Sequence, residues 1–310
     1  MRTFQILIFS LFVFLFSVQT ANAQRRTNPK IGNFKAVNVQ VNSTTLVVNG
    51  IPAEEYQSYF NSYTKRGYRP VAIDGFLHRA GVANNGSTET YFNVIFELDK
   101  TTFASYHGLT GAAYQQKFND LTGKGYRLSF IESYLQNGEI RYAPIFTKEV
   151  GPAWKAVHGL TQAAYQKKFN DFLADGYRLV NRSVVIKGGQ KYVAALFDKA
   201  NVGSWVAKSN LSVAATQTEM EQQKIAGKKV AYMDVTQETT SKITFSPIFD
   251  KAPHNAWYAL NNLTDAQLKA EIAKANNNGY KTILVMGFDK SLLINGNEVN
   301  QIQYAAAWVK

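Results

Sequence analysis

Five glycines divide the sequence at a nearly constant interval, and each is followed by an aromatic or basic pair. They are Gly67, Gly125, Gly176, Gly227 and Gly279, spaced 58, 51, 51 and 52 residues apart. A second marker keeps the same step, namely Phe103, Trp154, Trp205 and Trp257, with Phe34 as a looser first member. Two markers with one period indicate tandem copies of a single small unit.

Each copy is predicted to be a β-α-β-β unit. Fifteen residues before the glycine stands a Ser or Thr that can cap a helix start. These residues are Thr110, Thr161, Ser212 and Thr264, whereas copy one has Ile51-Pro52, which suits a first helical turn. Apolar side chains 11, 7 and 4 residues before the glycine form one buried stripe, as in Tyr165, Phe169 and Phe172. The glycine is expected to end the helix in the left-handed conformation.

Two extended runs follow each glycine. The compact turns between them are Asn137-Gly138, Gly188-Gly189 and Asn295-Gly296. One unit cannot bury both a helix stripe and a sheet face, so the copies are expected to share a core. The predicted class is α+β: five tandem βαββ repeats that form one curved antiparallel sheet, a half-barrel or open barrel, with the helices on one face. The copies span residues 33–100, 101–150, 151–200, 201–251 and 252–310 as one continuous domain, and the first and fourth are diverged.

The first 23 residues have the pattern of a secretory signal peptide. Arg2 precedes an apolar run from Ile6 to Val18, and Ala21-Asn22-Ala23 predicts cleavage after Ala23. The run is short for a membrane span, and residues 24–32 are predicted to be a flexible tail. The protein is therefore expected to be secreted or periplasmic and not membrane-spanning after cleavage. The chain has no cysteine, which excludes disulfides, thiolate metal sites and cysteine nucleophiles.

A net charge of +12 favours an anionic partner such as an envelope polymer or an acidic glycan, although a lysine-rich surface also keeps a protein soluble. The second residue after each glycine is basic. We call these five residues the basic column: Arg69, Arg127, Arg178, Lys229 and Lys281. The column could hold an anionic polymer, but cations there also meet the carbonyl groups and dipole of a helix C-terminus, so a structural role is favoured. Nucleic acid is not expected as a partner.

Repeated histidines and aromatic residues are the other candidate binding residues. His107 and His158 occupy the same place in neighbouring copies and could form a ligand pair, but a local His-Gly turn before the helix is favoured. No carboxylates accompany them at metal-ligand spacing. The repeated aromatic rings could stack on sugars or peptides, although packing in the core is favoured. These are Tyr126 and Tyr177, with Trp154, Trp205 and Trp257. No metal, cofactor or catalytic residue is predicted.

Copies two and three carry the pattern of a known family. The residues are Trp154-Lys155-Ala156-Val157-His158-Gly159-Leu160-Thr161, then Tyr165, Phe169 and Gly176-Tyr177-Arg178. The chain resembles bacterial tandem repeats that also form the N-terminal domain of fungal polyglycine hydrolases, secreted endopeptidases with a β-lactamase-like catalytic half. The resemblance implies an exported repeat domain with a half-barrel type of sheet that binds or positions a substrate. It does not imply catalysis, because the catalytic half is a separate domain.

Ser62-Tyr63-Thr64-Lys65 matches the S-x-x-K string of β-lactamase-like enzymes. It falls in the last turn of a predicted helix, where the dipole has the wrong sign to assist a nucleophile, so a chance match is favoured. The leading hypothesis is an exported, non-enzymatic binding module for a polymer or protein ligand. The alternatives are a cryptic serine hydrolase using Ser62 and Lys65, a hydrolytic site between His107 and His158, and a structural cell-surface subunit built through exposed edge strands.

Overall fold

The computed structural model describes residues 37–40, 44–79, 88–294 and 297–310. All of them lie in the compact unit Phe34–Lys310. The predicted signal peptide, the predicted tail, Phe34 and the Asn295-Gly296 turn lie outside the described residues. In the described part, the β-α-β-β order recurs five times, as the sequence predicts.

Each copy has one helix, and element labels run in chain order. The helices are α1 (Tyr56–Thr64), α2 (Gly111–Gly123), α3 (Gln162–Ala174), α4 (Val213–Ile225) and α5 (Asp265–Asn277). Thr110, Thr161, Ser212 and Thr264 cap α2 to α5 as predicted, since each side chain accepts a hydrogen bond from the amide three residues later. The expectation that Pro52 lies in the first turn of α1 is wrong. Pro52 pairs with Tyr91 in a strand, and α1 begins only at Tyr56.

Each helix ends just before its predicted glycine. The five glycines have φ between 69° and 87°, which is the left-handed region. The amide of the next residue closes the turn, for example from Tyr177 to the carbonyl of Phe172 at 2.9 Å. A second left-handed residue lies 17 positions before each glycine, at Gly50, Gly108, Gly159, Asn210 and Asn262. In copies one, three and five it lies within the first strand, where the register with the third strand shifts, and in copies two and four it follows that strand.

The three strands of each copy form one small antiparallel sheet in the order first, third, second. The first strands lie at the outer edge and are β2 (Thr45–Pro52), β5 (Phe103–Ser105), β8 (Trp154–Thr161), β11 (Trp205–Ala207) and β14 (Trp257–Leu263). The third strands lie in the middle and are β4 (Thr88–Leu98), β7 (Glu139–Thr147), β10 (Gln190–Asp198), β13 (Ile243–Asp250) and β16 (Asn297–Val309).

The second strands form the opposite edge of each sheet, and we call them the inner strands. They are β3 (Tyr68–Arg79), β6 (Arg127–Gln136), β9 (Arg178–Lys187), β12 (Lys229–Gln237) and β15 (Lys281–Ile294). An additional strand, β1 (Val37–Gln40), extends the sheet of copy one beyond β2. The residue 22 positions before the glycine, which is aromatic in copies two to five, is Thr45 in copy one.

The prediction of one curved barrel-like sheet is wrong, because the strands form five separate sheets. The inner strands still contact one another in a closed cycle, β3 with β6, β6 with β9, β9 with β12, β12 with β15, and β15 with β3. The five sheets are therefore arranged around a common axis, with the inner strands closest to it. Side chains, rather than a backbone ladder, connect one inner strand to the next.

These connections occur mainly at the seventh residue after the cap glycine. The side chain at that position accepts a hydrogen bond from the eighth-residue amide of the preceding copy. The pairs are Asp74 with Gly287, Glu132 with Gly75, Ser183 with Ser133, and Asp234 with Val184. In copy five, this seventh position is occupied by Met286. Inner-edge amides that a barrel would pair with carbonyl groups are thus paired by side chains, which explains why the sheets remain separate.

The core confirms that the copies bury one another. A single hydrophobic cluster contains Tyr56, Phe130, Tyr165, Met220 and Trp257, one from each copy. Helices also pack against the outer strand of the next copy, as Phe118 does against Trp154, with ring centroids 5.5 Å apart. The last interface follows the same rule, since Leu268 and Ile272 of α5 cluster with Val47 of β2.

Replacement of Gly125 by Ala is expected to lower the free energy of unfolding by about 1–2 kcal/mol. An added Cβ would meet nothing within 4 Å, so the cost comes from the backbone, which has φ of +80°. Gly123, in the last turn of α2, is the matched control because its surroundings are equally open and its φ is not left-handed. Gly123→Ala is expected to stabilise by about 0.4–1 kcal/mol. Urea denaturation measures both, and effects of the same sign would contradict the cap assignment.

Candidate functional site

The five inner strands enclose a cavity of about 330 Å³ near the end where they lead into the hairpins. Every copy contributes to the lining, and representative residues are Asp74, Glu132, Val184, Asp234 and Met286. The lining continues to the tenth residue after the cap glycine, about 10 Å further along each strand. It also includes the exposed Thr239 in the hairpin of copy four, so the cavity reaches the surface. We call it the axial cavity.

Three buried carboxyl groups line the deep part of the axial cavity. Asp74, Glu132 and Asp234 form this axial carboxyl cluster. Burial disfavours the charged form, which raises the pKa of Asp74 to about 7 and the pKa of Asp234 to about 6. Burial also raises the pKa of Glu132 well above its usual value, and the neighbouring charges of Asp74 and Asp234 raise it further. The cluster therefore binds protons at pH values where exposed carboxyl groups have lost them.

The cluster members differ in how well their oxygens are paired. Asp74 accepts hydrogen bonds from the Gly287 amide and from Asn93 Nδ2, both at 2.7 Å. Asp234 accepts one from Thr236 at 3.2 Å and lies 3.6 Å from the guanidinium of Arg182. These contacts favour the charged forms but do not offset the burial of either group.

Glu132 is the least compensated member of the cluster. Its exposed fraction is 3%. The Ser183 side chain and the Gly75 amide lower its pKa, but its Oε2 atom is buried without a hydrogen-bond partner among the described residues. An unpaired buried polar atom costs about 1–3 kcal/mol, and more if it is charged. Buried polar groups in folded proteins usually have hydrogen-bond partners. Glu132 is therefore the position in the cavity at which a hydrogen bond from a bound group would gain most free energy.

The acidic residues nearer the mouth of the axial cavity already have partners. Asp289 accepts a hydrogen bond from the Arg79 amide and lies 2.5 Å from His78 Nδ1. Glu238 pairs with Lys191 at 2.6 Å and with Lys242 at 2.5 Å. Uncompensated acidity is therefore concentrated in the axial carboxyl cluster rather than at the rim.

Four members of the basic column form ion pairs with carboxylates. The pairs are Arg69 with Asp99, Arg178 with Asp198, Lys229 with Asp250, and Lys281 with Glu97, at 2.5–2.8 Å. Arg127 instead donates to the carbonyl of Pro152. Lys281 and Glu97 join copy five to copy one, and Arg178 reaches Asp250 of copy four at 3.7 Å. This arrangement favours the structural role, and ligand binding by the column stays a prediction.

His107 and His158 pack against different helices. The His107 ring lies 4.5 Å from the ring of Tyr56 in α1, and the His158 ring lies 4.6 Å from that of Tyr114 in α2. Burial lowers the pKa of both histidines. Each His-Gly pair contains the left-handed glycine before the helix, and His158-Gly159 lies within β8 at a shift in its register with β10. These contacts favour a local structural role, and ligand binding by the two histidines stays a prediction.

The repeated aromatic residues contact protein groups. Lys148 lies over the ring of Tyr126, and Lys155 and Lys199 lie over the ring of Tyr177, at 4.6–5.8 Å. Trp257 is buried and its Nε1 donates to the carbonyl of Lys228 at 2.9 Å. Trp154 and Trp205 are half-buried against the clusters of the core. These contacts favour packing over ligand stacking.

Ser62 and Lys65 are both exposed at the C-terminal end of α1. Neither lines the axial cavity. Across the described ranges, no group of three or more His, Asp or Glu residues is arranged to hold a metal ion. In the same ranges, no helix has the length and apolar character that crossing a bilayer requires.

The repeat identifies the family. The family model described as "Polyglycine hydrolase-like, structural repeat" matches residues 48–97, 100–149, 151–200 and 254–310, which together make up more than half of the chain. The chain belongs to the polyglycine hydrolase-like structural repeat family. The segment between the last two matches contains copy four, whose elements are complete although its helix stripe is diverged to Thr216, Met220 and Gln223. The family assignment thus rests on copies one, two, three and five.

The axial carboxyl cluster was missed by the sequence predictions. Its signal is present, because the seventh residue after the cap glycine is Asp, Glu, Ser, Asp and Met in successive copies. Acidic side chains in the middle of a buried strand are rare unless they have partners. Aligning the copies on their glycines would have placed these residues on one ring.

Stability is expected to fall as pH rises, because the folded cluster retains protons that the unfolded chain has lost. The protonated cluster contributes its full stabilisation at pH values below the pKa that Asp and Glu have in the unfolded chain. This contribution is lost as pH rises through the raised pKa values of the folded protein. Glu132→Gln removes one such titration. The variant should therefore gain stability relative to wild type between pH 5 and pH 8, by at most about 1.4 kcal/mol per pH unit.

Urea denaturation across this pH range tests the effect. Glu139→Gln is the matched control, since Glu139 is exposed beside Lys187 and its pKa is lowered by that lysine. Glu139 is ionised in both folded and unfolded chains above pH 5, so the control difference should stay constant. A constant difference for Glu132→Gln as well would contradict the raised pKa of Glu132.

Proposed function

We propose that this protein is an exported, non-catalytic binding module that receives a protruding group of a polymer or protein ligand in the axial cavity. The observation that carries the proposal is the lining itself, which comes from the inner strands of all five copies and includes a buried carboxyl oxygen that has no hydrogen-bond partner in the described part of the chain. A concave site that combines aliphatic residues with converging polar groups has the usual composition of a ligand site.

The size of the axial cavity limits what it can receive. At about 330 Å³ it lies at the lower end of the range for small-molecule sites, which is about 300–1,000 Å³. A side chain or one sugar unit fits such a volume, whereas a polymer backbone does not. The ligand would therefore present a single group to the cavity while the rest of it contacts the surrounding hairpins.

The axial cavity is a better candidate than the basic column. Carboxylates already neutralise four members of the column, and Arg69, Arg178 and Lys229 keep only 12–14% of their side-chain surface exposed, which leaves little free charge for a ligand. Export is supported by the signal-peptide pattern of residues 1–23. The non-catalytic character is supported by the position of Ser62, since the end of a helix offers a nucleophile the wrong dipole sign.

The proposal is tested by blocking the axial cavity. Val235 lines it and is half-buried, so Val235→Trp should fill it. Wild type and variant would be screened on a glycan array and on a tiled peptide array, and dissociation constants measured for each hit. We expect Val235→Trp to weaken the leading hit at least tenfold, because the indole occupies the volume that the ligand group needs.

Two variants serve as controls. Val150→Trp makes the same change at a fully exposed position, and Arg127→Glu reverses the column member whose contact is a carbonyl. Both should bind the hit as wild type does. Circular dichroism and thermal melting establish that each variant is folded, and Val184→Trp blocks the cavity from the neighbouring strand if Val235→Trp does not fold. A hit that tolerates both cavity variants but is lost with Arg127→Glu would move the site to the basic column.

A further inference from the structure

The charge inside the axial cavity has the opposite sign to the charge of the whole protein. The chain carries +12, yet five lining residues are acidic and one, Arg79, is basic. The acidic ones are Asp74, Glu132, Asp234, Glu238 and Asp289. Since low-dielectric walls strengthen local electrostatic interactions, a cation that enters the cavity would favour ionisation of these carboxyl groups, even though the protein as a whole is positively charged.

Only part of this acidity is available to a ligand. Asp289 and Glu238 have partners of their own, and Asp234 faces Arg182. Asp74 is fixed by two hydrogen bonds from neutral donors. Glu132 is the remaining carboxyl group, and within the described ranges its Oε2 has no hydrogen-bond partner, although the residue is only 3% exposed. A ligand donor that reaches this oxygen would supply a partner that the fold does not provide.

The lining also contains an aliphatic group among polar residues such as Ser133 and Gln237. Leu77, Leu135, Ile186, Val235 and Met286 provide this aliphatic surface, one from each of the five inner strands. Such walls favour methylene groups and disfavour a fully hydrated ion. The described residues also lack a group of carboxylates or imidazoles arranged for a metal. Together the walls and the unpaired carboxyl fit a compact organic cation on a short aliphatic stem.

We propose, on the basis of the proposed function, that the axial cavity binds a primary ammonium group on an aliphatic stem, with Glu132 as its counter-ion. The ammonium donates hydrogen bonds to Glu132 Oε2, and the stem packs against the apolar walls. The titratable groups around Glu132 are Asp74, Asp234, Tyr134 and Tyr232, and Arg182 lies beyond Asp234. The bound cation favours the ionised cluster, so binding releases a proton to solvent.

The test uses three probes of equal length on the purified full chain: n-butylammonium, 1-butanol and n-butyrate. Isothermal titration at pH 6.5 in two buffers with different ionisation enthalpies measures both affinity and proton release. We expect butylammonium to bind with a dissociation constant of about millimolar, as befits a ligand of few atoms. It should bind at least tenfold more tightly than butanol, release up to one proton, and exclude butyrate.

Glu132→Gln keeps the shape of the side chain and removes its charge. It should weaken butylammonium at least tenfold, abolish proton release and leave butanol unaffected. Glu139→Gln makes the same substitution on an exposed hairpin and should bind like wild type. Val235→Trp should remove binding of all probes. Thermal melting of each variant without ligand controls for folding.

The outcomes separate this inference from the proposed function. If butanol or butyrate binds as tightly as butylammonium in a manner sensitive to Val235→Trp, the cavity remains the ligand site and the ammonium assignment fails. Unchanged butylammonium binding in Glu132→Gln also overturns the assignment. If no probe binds, the assignment fails again, and the array experiment with Val235→Trp decides the proposed function independently.

Discussion

A backbone amide inside a folded protein needs an acceptor, and here the amides closest to the axis find theirs on side chains of the next copy. Asp74, Glu132, Ser183 and Asp234 each accept a hydrogen bond from the preceding inner strand. Because a side chain reaches further than a carbonyl, adjacent inner strands can stay apart and remain the edges of separate sheets. The arrangement around an axis, the central cavity and the acidity of that cavity all follow from the use of side-chain acceptors in place of backbone carbonyl groups.

Aromatic side chains two residues after Asp74 and Glu132 explain why glycines are required near the axis. At the eighth position, a Cβ on Gly75 would lie 2.8 Å from the Tyr134 side chain, and one on Gly287 would lie 2.5 Å from Phe76. The aromatic residue of one copy thus lies directly over the backbone of the preceding copy. Close approach brings the acceptor within reach of the amide and leaves the space beyond the rings open as the axial cavity. Assembly and site formation therefore depend on the same few positions.

Local structure was predictable because its determinants are close together in sequence. Helix caps such as Thr161 and cap glycines such as Gly176 act within a few residues of themselves, and the structure has them as predicted. The prediction of a single curved sheet was wrong because hydrophobic alternation does not reveal whether neighbouring strands pair through backbone or through side-chain hydrogen bonds. The prediction for Pro52 was wrong for a related reason, since its pairing with Tyr91 across the sheet outweighs the preference of proline for a first helical turn. The ion pairs of the basic column could have been predicted from the strand register. Asp198 and Asp250 end the middle strands directly opposite Arg178 and Lys229. Thr147 takes that place opposite Arg127. The axial carboxyl cluster needed copies to be compared position by position, because its members are far apart in the chain.

The contact between β15 and β3 has an evolutionary consequence. In an open solenoid, duplication of one repeat lengthens the stack and disturbs a single junction. In a closed cycle, a sixth copy would have to be inserted between two partners that already match, and every angle between neighbours would change. Loss of a copy would be equally disruptive. Sequence divergence, as in the fourth copy, is therefore the easier route to novelty in such a protein, and the number of copies should resist change more strongly than the residues within them.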